Sequence, residues 1–361
     1  MIRIAKRDSL PLWRNILNRI IAVVLALLVS GLFVVAISKQ NPFEVYASIF
    51  KGAFGTVNKA WITARDTMML LCVAVGLAPA FRMKFWNIGA EGQILAGGIA
   101  TAACLIYLKD LPPALLFLCI IVSSMIAGAL WGLLPAIFKS KWNTNETLFT
   151  LMMNYVAIQL TSFFVALWEN PKGSNKVGII NPDTKTGWLP PLFGENSKDY
   201  MLNVIIVMVI TIAMFIYLKY TKQGYEIAVV GDSERTAKYA GISVKKVFIR
   251  TMIISGAICG LSGFLAVSGS SHTISTNTGG GRGFTAIIVA WLAKFNTFTM
   301  ILISLLIVFL EKGAIQIASD YNLSNDVSDV ITGIILFFIL GSEFFCNYKL
   351  IFGSAKVKEV K

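Results

Sequence analysis

Stretches of about 20 apolar residues recur from one end of this chain to the other, and each is long enough to cross a bilayer core of roughly 30 Å. A segment such as IIAVVLALLVSGLFVVAIS at 20–38 offers water no polar face. In lipid its backbone groups must be satisfied internally, which confines the chain to spanning helices or a closed barrel. Unbroken windows of this length read as helices. Of the 361 residues 56% are hydrophobic and 14% charged, with a mean hydropathy of +0.71. Soluble domains carry about a quarter charged residues. The expectation is one all-α polytopic membrane domain over 1–361, with no soluble domain of any size.

Apolar windows lie near 20–38, 67–81, 88–107, 111–138, 147–168, 200–218, 251–269, 283–293, 297–310 and 327–345. They predict about ten transmembrane helices, with 283–293 too short to cross as an ordinary helix. The formal net charge of +13 would point to nucleic acid in a soluble protein, but here the Lys and Arg cluster in short loops between apolar runs. That pattern sets topology and excludes nucleic acid as a partner. With the amino end inside, most of the 32 Lys and Arg fall on the inner side, in 1–19, 82–84, 139–145, 219–250, Lys294 and 346–361. Both termini are therefore expected in the cytoplasm. Residues 39–65 and 169–200 become external loops, the first with a short interfacial helix around FEVYASIF. The N-terminal basic cluster ahead of an apolar run has a signal peptide's layout, but the run is long enough to span and more spans follow, so it reads as an uncleaved first helix. The five cysteines form no CxxC pair and read as buried apolar residues.

Two hydrophobic segments are interrupted. NIGAEGQILAGG opens a span running inside to outside, and NTGGGRGFTAIIVAWLA opens one running the other way. Interruptions at matching places in two halves point to a transport path, because unwound backbone needs a polar cavity around it. Five crossings plus five, broken in opposite sense, predict an inverted repeat.

Glu91 is the sharpest residue, since an acidic group at the centre of a span costs roughly 2.5–3.5 kcal/mol. One reading places Asn87, Glu91 and Gln93 on a cavity or subunit contact. The other makes them a helix N-terminal feature at the membrane surface, where a carboxylate caps free N–H groups. Arg282 is either a cation at the membrane edge or a path residue facing an electron-rich ligand, with Phe284 beside it. Asn154, two turns into a span that begins near Glu146, either bridges helices or touches substrate. His272 reads as a solvated loop residue, and Glu311 with Lys312 as an interfacial pair. The pattern Gly281-x-Gly283-x-x-Ala286 is formally a dinucleotide fingerprint, but it follows STN and not a strand, which removes that meaning.

The longest inner connection, 219–250, contains SERTAKYAGIS. It predicts a short surface helix capped by Ser233 and stopped by Gly241, a shape suited to pressing on a partner protein. No GxxxxGK[ST] phosphate loop, HExxH or GxSxG occurs. The chain is thus expected to be no enzyme and to bind no cofactor directly.

Five stretches together resemble the permease subunit of bacterial ABC importers for nucleosides, a branch of the ribose and simple-sugar permease family: NIGAEGQ at 87–93, NETLFTLMMNY at 145–155, GYEIAVVGDSERTAKYAGI at 224–242, SGAICGLSG at 255–263 and GFTAIIVAWLAKFN at 283–296. The resemblance runs in order from about 80 to 350. It implies a pore in the bacterial inner membrane that pairs with a second, similar permease as a heterodimer. It also implies an ATPase with two nucleotide-binding domains that hydrolyses ATP, and an external nucleoside-binding lipoprotein. Gly224, Gly231, Arg235, Ala237, Ala240, Gly241 and Ile242 would then belong to the coupling segment that docks in the ATPase. The chain departs from the family pattern at Ala228, Ala293 and Thr297, where a basic residue, Gly and Pro are common. A simple-sugar permease and an ion-coupled secondary transporter are the alternatives.

Overall fold

The structure is a computed structural model that describes residues 2–6, 12–38, 42–192, 200–322 and 325–352. Of the segments discussed above, residues 1 and 7–11 of the amino-terminal stretch, 39–41 of the first external stretch, 193–199 of the long loop and 353–361 of the tail lie outside the described residues. Thirteen α-helices follow one another among those described: α1 (Leu12–Ser38), α2 (Pro42–Phe54), α3 (Val57–Arg82), α4 (Ala90–Tyr107), α5 (Pro113–Trp142), α6 (Glu146–Leu167), α7 (Met201–Tyr220), α8 (Lys222–Asp232), α9 (Glu234–Tyr239), α10 (Val244–Ala266), α11 (Arg282–Leu292), α12 (Thr297–Asp320) and α13 (Asn325–Asn347). A π turn, Val267–Ser271, prolongs α10.

Seven of these are long and apolar enough to cross a membrane: α3, α4, α5, α6, α7, α10 with its π turn, and α12. Shorter apolar helical stretches are Ile20–Ala36, Arg282–Leu292 and Val330–Ser342. Two expectations are corrected. Residues 39–65 are not mainly loop, because FEVYASIF belongs to the 13-residue α2 and α3 already begins at Val57. The expected short helix around FEVYASIF is present and runs to 13 residues, and what the apolar windows did not register is the early start of α3. The chain is also not wholly helical: β1 (Ile2–Lys6) pairs antiparallel with β2 (Tyr348–Phe352), Ile2 opposite Phe352 and Lys6 opposite Tyr348.

The chain forms two compact units, Met1–Ala60 with Leu306–Lys361, and Trp61–Leu305. In the first, α1 lies along α13. Ala22, Ala26, Ser30 and Val34 recur every four residues on one buried stripe, as do Ile331, Ile335 and Ile339 on the other helix. Gly31 leaves room for the ring of Tyr46 from α2, whose hydroxyl donates to the Leu27 carbonyl at 2.9 Å.

In the second unit α3, α4 and α10 are interior: 89%, 72% and 83% of their most apolar windows are buried, against 22–28% for α5, α6 and α7. In lipid, apolar surface alone does not drive helices together, so close approach depends on small residues. Here a Cβ on Gly128 would fall on the Gly256 carbonyl, one on Gly97 on the Gly260 carbonyl, and one on Gly263 on the Ile94 carbonyl. The glycines that look like flexibility in the sequence are contact points between α4, α5 and α10.

Candidate functional site

The site begins where α3 stops. Lys84 adopts a positive φ of 59°, and the amides of Lys84 and Phe85 return to the carbonyls of Phe81 and Ala80, closing the helix end. Residues 85–89 then run without helical structure before α4 starts at Ala90. Five unwound residues would strand several N–H and C=O groups in an apolar surrounding. Polar side chains answer them one by one. Asn87 Oδ1 accepts from the Gly89 amide (3.1 Å) and from Gln93 Nε2 (3.3 Å), while Asn87 Nδ2 reaches Gln93 Oε1 and Ser255 Oγ at 3.4 Å each. From α6, Thr150 Oγ1 takes the Ile88 amide at 3.1 Å. Asn154 takes the Gly92 amide at 2.8 Å and donates to the Ile88 carbonyl at 2.9 Å. Asn87, Gln93 and Asn154 are all buried. Ser255 places this junction near the middle of the long helix formed by α10 and its π turn.

The second interrupted segment meets the first at this junction. After the π turn the chain runs without regular structure through 272–281, and Gly281, at φ +72°, caps the short α11. Glu91 receives it: Oε1 accepts from the Gly281 amide at 3.0 Å and Oε2 from the Gly283 amide at 2.9 Å. A Cβ on Gly279 or Gly283 would collide with Glu91 itself. Glu91, 7% exposed, thus caps a helix N-terminus, but that of α11 and not of its own helix, and it does so in the interior. Each helix presents roughly half a positive charge at its N-terminus. The carboxylate lies where the starts of α4 and α11 meet, which offsets the repulsion between two like dipole ends. A second contact joins the same segments, with Trp86 stacked on Trp291 at 5.3 Å between ring centroids.

Arg282 and Phe284, on the first turn of α11, are the more open members of the expected path set, with exposures of 27% for the Arg282 side chain and 45% for Phe284. Arg282 Nη2 lies 3.5 Å from Asp66 Oδ1. Asp66 escaped the sequence reading because it sits one residue before the apolar window at 67–81. The signal that could have found it is the pair Arg65-Asp66 leading into MMLLCVAVGLA.

His272 is corrected. It is stacked on Trp188 at 3.7 Å and its carbonyl accepts from the Ile180 amide at 2.8 Å, so the loop holds it instead of leaving it to solvent. Burial pulls its pKa below the ordinary 6.5, and the charge of Arg65 pulls the same way. The Ser268 hydroxyl donates to the Gly187 carbonyl beside it.

In the 219–250 connection, α8 and α9 form as two short helices. Ser233 Oγ caps α9 by accepting from the Thr236 amide at 3.3 Å, and Gly241 ends it at φ +75°. Gly224 and Gly231 are buried; a Cβ on the first would meet the Leu218 carbonyl, one on the second the Arg82 carbonyl. Ala237 is buried beneath α9, Ile242 is half-buried, and Arg235, Ala240 and Gly241 are exposed. Tyr239, absent from the sequence-derived set, is 93% exposed. An aromatic placed between charges on a surface helix was the available clue. Glu226 on α8 pairs with Arg250 on α10 at 3.0 Å. The residues named for a path and those named for coupling therefore fall in separate clusters, with Gly231 against Arg82 lying between them.

A family model described as the permease component of branched-chain amino acid transport systems matches residues 60–340. The chain is 28% identical over 352 residues to the guanosine ABC transporter permease NupP of Bacillus subtilis, covering 96% of this chain and 97% of that one. It is 28% identical over 334 residues to the nucleoside ABC transporter permease NupB of Lactococcus lactis, covering 90% and 91%. It is 26% identical over 364 residues to the glucose ABC transporter permease TsgB13 of Haloferax volcanii, covering 97% and 93%. No solved structure matches.

Proposed function

The chain belongs to the family of permease components of branched-chain amino acid transport systems, and from that premise we propose that it is the membrane-spanning subunit of an ABC importer for nucleosides. It is a multi-pass inner-membrane protein. The two nucleoside permeases match it over nine-tenths or more of both chains, which supports the substrate class. ATP is bound and hydrolysed by a partner ATPase with two nucleotide domains. A second permease completes the pore as a heterodimer, and an external lipoprotein delivers the solute.

The observation that carries the reading is the meeting of two half-helix starts at Glu91. In this topology α4 and α11 are the helical halves of two crossings, and residues 85–89 and 277–281 are their unwound halves. With α1 and α13 included the crossings number ten, arranged as an inverted five plus five. The β1–β2 ribbon holds both end segments together, which fits both termini lying in the cytoplasm. Discontinuous helices that face each other in this way mark transport paths. Asn87, Glu91, Gln93 and Asn154 build the junction, and Arg282 and Phe284 offer it to the solute.

Alternating access then follows from the contacts. The exposed side of α9, with Arg235, Tyr239, Ala240 and Gly241, docks in the ATPase. Gly231 packs against the end of α3, one step before the break, so displacement of α8 and α9 reaches residues 85–89 through backbone contact. Glu91 spends both oxygens on the backbone amides that open α11, so its contacts describe a clamp between two helix starts. A simple-sugar permease is the second reading, favoured by the match to the glucose permease.

The test is uptake of labelled nucleosides, ribose and glucose into vesicles holding this permease with its partner subunits and binding protein. ATP-dependent nucleoside uptake that a protonophore leaves unchanged is expected. Uptake of sugar alone, or uptake that follows a proton gradient without ATP, would overturn it.

A further inference from the structure

Asp66 is buried in α3, and one of its oxygens is shared between two guanidiniums. Arg65 Nε and Nη2 each lie 2.9 Å from Oδ1, and Arg282 Nη2 reaches the same atom at 3.5 Å. Arg65 also donates to the Tyr200 hydroxyl at 3.2 Å and lies 4.8 Å from that ring's centroid. A carboxylate within an apolar span is costly unless paired or set on a polar path, and here it is both paired and adjacent to the proposed path. Asp66, Arg65 and Arg282 together carry one net positive charge.

The cluster does for Arg282 what an isolated arginine cannot do for itself. Its flexible side chain is held at two places, Nη2 by Asp66 and Nη1 by the Gly279 carbonyl at 3.4 Å. The rest of the planar group is partly exposed, as is the ring of Phe284 two residues on. A guanidinium fixed in this way presents N–H donors in a set plane. The one remaining positive charge is spread over two guanidiniums, so the edge suits an electron-rich acceptor without requiring a full anion.

We propose that Asp66 is the positioning residue that sets Arg282 toward the solute path. The fixed N–H edge then meets a carbonyl or ring-nitrogen acceptor on a neutral heteroaromatic solute, while Phe284 supplies a face for its ring. This rests on the reading of Arg282 and Phe284 as path residues.

The experiment measures KM and maximal rate of labelled guanosine uptake in vesicles containing the whole transporter, for Asp66→Asn, Asp66→Glu, Arg282→Gln and the double variant Asp66→Asn/Arg282→Gln. Loss of one charge-assisted hydrogen bond corresponds to about a tenfold rise in KM. That rise is expected for Asp66→Asn and for Arg282→Gln with maximal rate nearly kept, partial recovery for Asp66→Glu, and no further rise in the double variant. An unchanged KM in Arg282→Gln would sink the path reading itself. A rise in Arg282→Gln with none in Asp66→Asn, or additive rises in the double variant, would overturn the positioning role alone. If Asp66→Asn fails to accumulate in the membrane, the test passes to Asp66→Glu combined with Arg282→Gln: a KM no higher than that of Arg282→Gln alone is expected, and additive rises overturn the positioning role.

Discussion

Replacing Glu91 by Gln removes the charge between two helix starts while keeping the shape of the side chain. In the native protein both carboxylate oxygens accept backbone N–H groups, at 3.0 and 2.9 Å, in a site 7% exposed. A hydrogen bond to a charged group contributes about 1.5–3 kcal/mol, and a buried donor left alone costs about 1–3 kcal/mol. Gln retains one acceptor oxygen and turns its amide hydrogens toward the other N–H, so one bond is lost and the second is weakened. The neutral side chain also surrenders its attraction to the α11 dipole, about 0.3–1 kcal/mol and more when buried. The sum is about 2–4 kcal/mol. At about 2–4 °C per kcal/mol for a unit of this size, the purified permease in nanodiscs should melt on the order of 5–10 °C lower. Glu91→Ala should fall further, because both amides then lack a partner. Intrinsic tryptophan fluorescence is the assay of choice, since Trp86 and Trp291 report on the same junction. The uptake rate of Glu91→Gln should fall along with its melting temperature. A melting temperature within about 1 °C of the native value would refute the capping argument.

Adjacent glycines on α4 supply an internal control. Gly97→Ala should prevent accumulation of folded permease because its Cβ lands on the Gly260 backbone, whereas Gly98→Ala, whose nearest neighbours lie at 3.5 Å or beyond, should accumulate normally; equal yields would refute the packing account. Gly241→Asp should abolish uptake and co-purification of the ATPase while membrane insertion persists, since the residue is exposed, has no atoms near its Cβ and holds a φ of +75° that Asp adopts only at a cost. Retained uptake would remove this loop from the coupling contact. The Trp188–His272 stack should be pH-dependent in a defined direction: the folded pKa lies below the unfolded 6.5, so the packed loop is fully stable above about pH 6.5 and loses stability as pH falls from there through the depressed value. Hydrogen exchange at Ile180 and Leu189 should quicken on acidification, and His272→Phe should flatten that dependence; an identical pH response in the variant would assign it elsewhere.

Residue pattern alone determined that this chain lives in lipid as helices, where its helix-bearing segments lie, that Ser233 and Gly241 bound a surface helix, and that NIGAEGQ and GGGRGFTA are each a break in an apolar segment. Those are local matters: hydropathy acts over a single span, capping over a single turn, and a break shows in the composition of a few residues. The short helix around FEVYASIF was legible, but the start of α3 at Val57 was not, because residues 57–66 are too polar to register in an apolar window. Asp66 escaped because its partner Arg282 is distant in the chain, and the stacking of His272 because Trp188 lies in another loop. The tertiary structure also decided what Glu91 holds. Both readings of that residue were consistent with the sequence, one as a path group and one as a cap, and nothing in residues 85–98 could say that the capped helix would begin at Gly281. An ionised group in an apolar surrounding takes its meaning from whatever the fold brings within about 3 Å of it. Here that is the start of a second interrupted helix, approaching closely because glycines at 279 and 283 leave it the room.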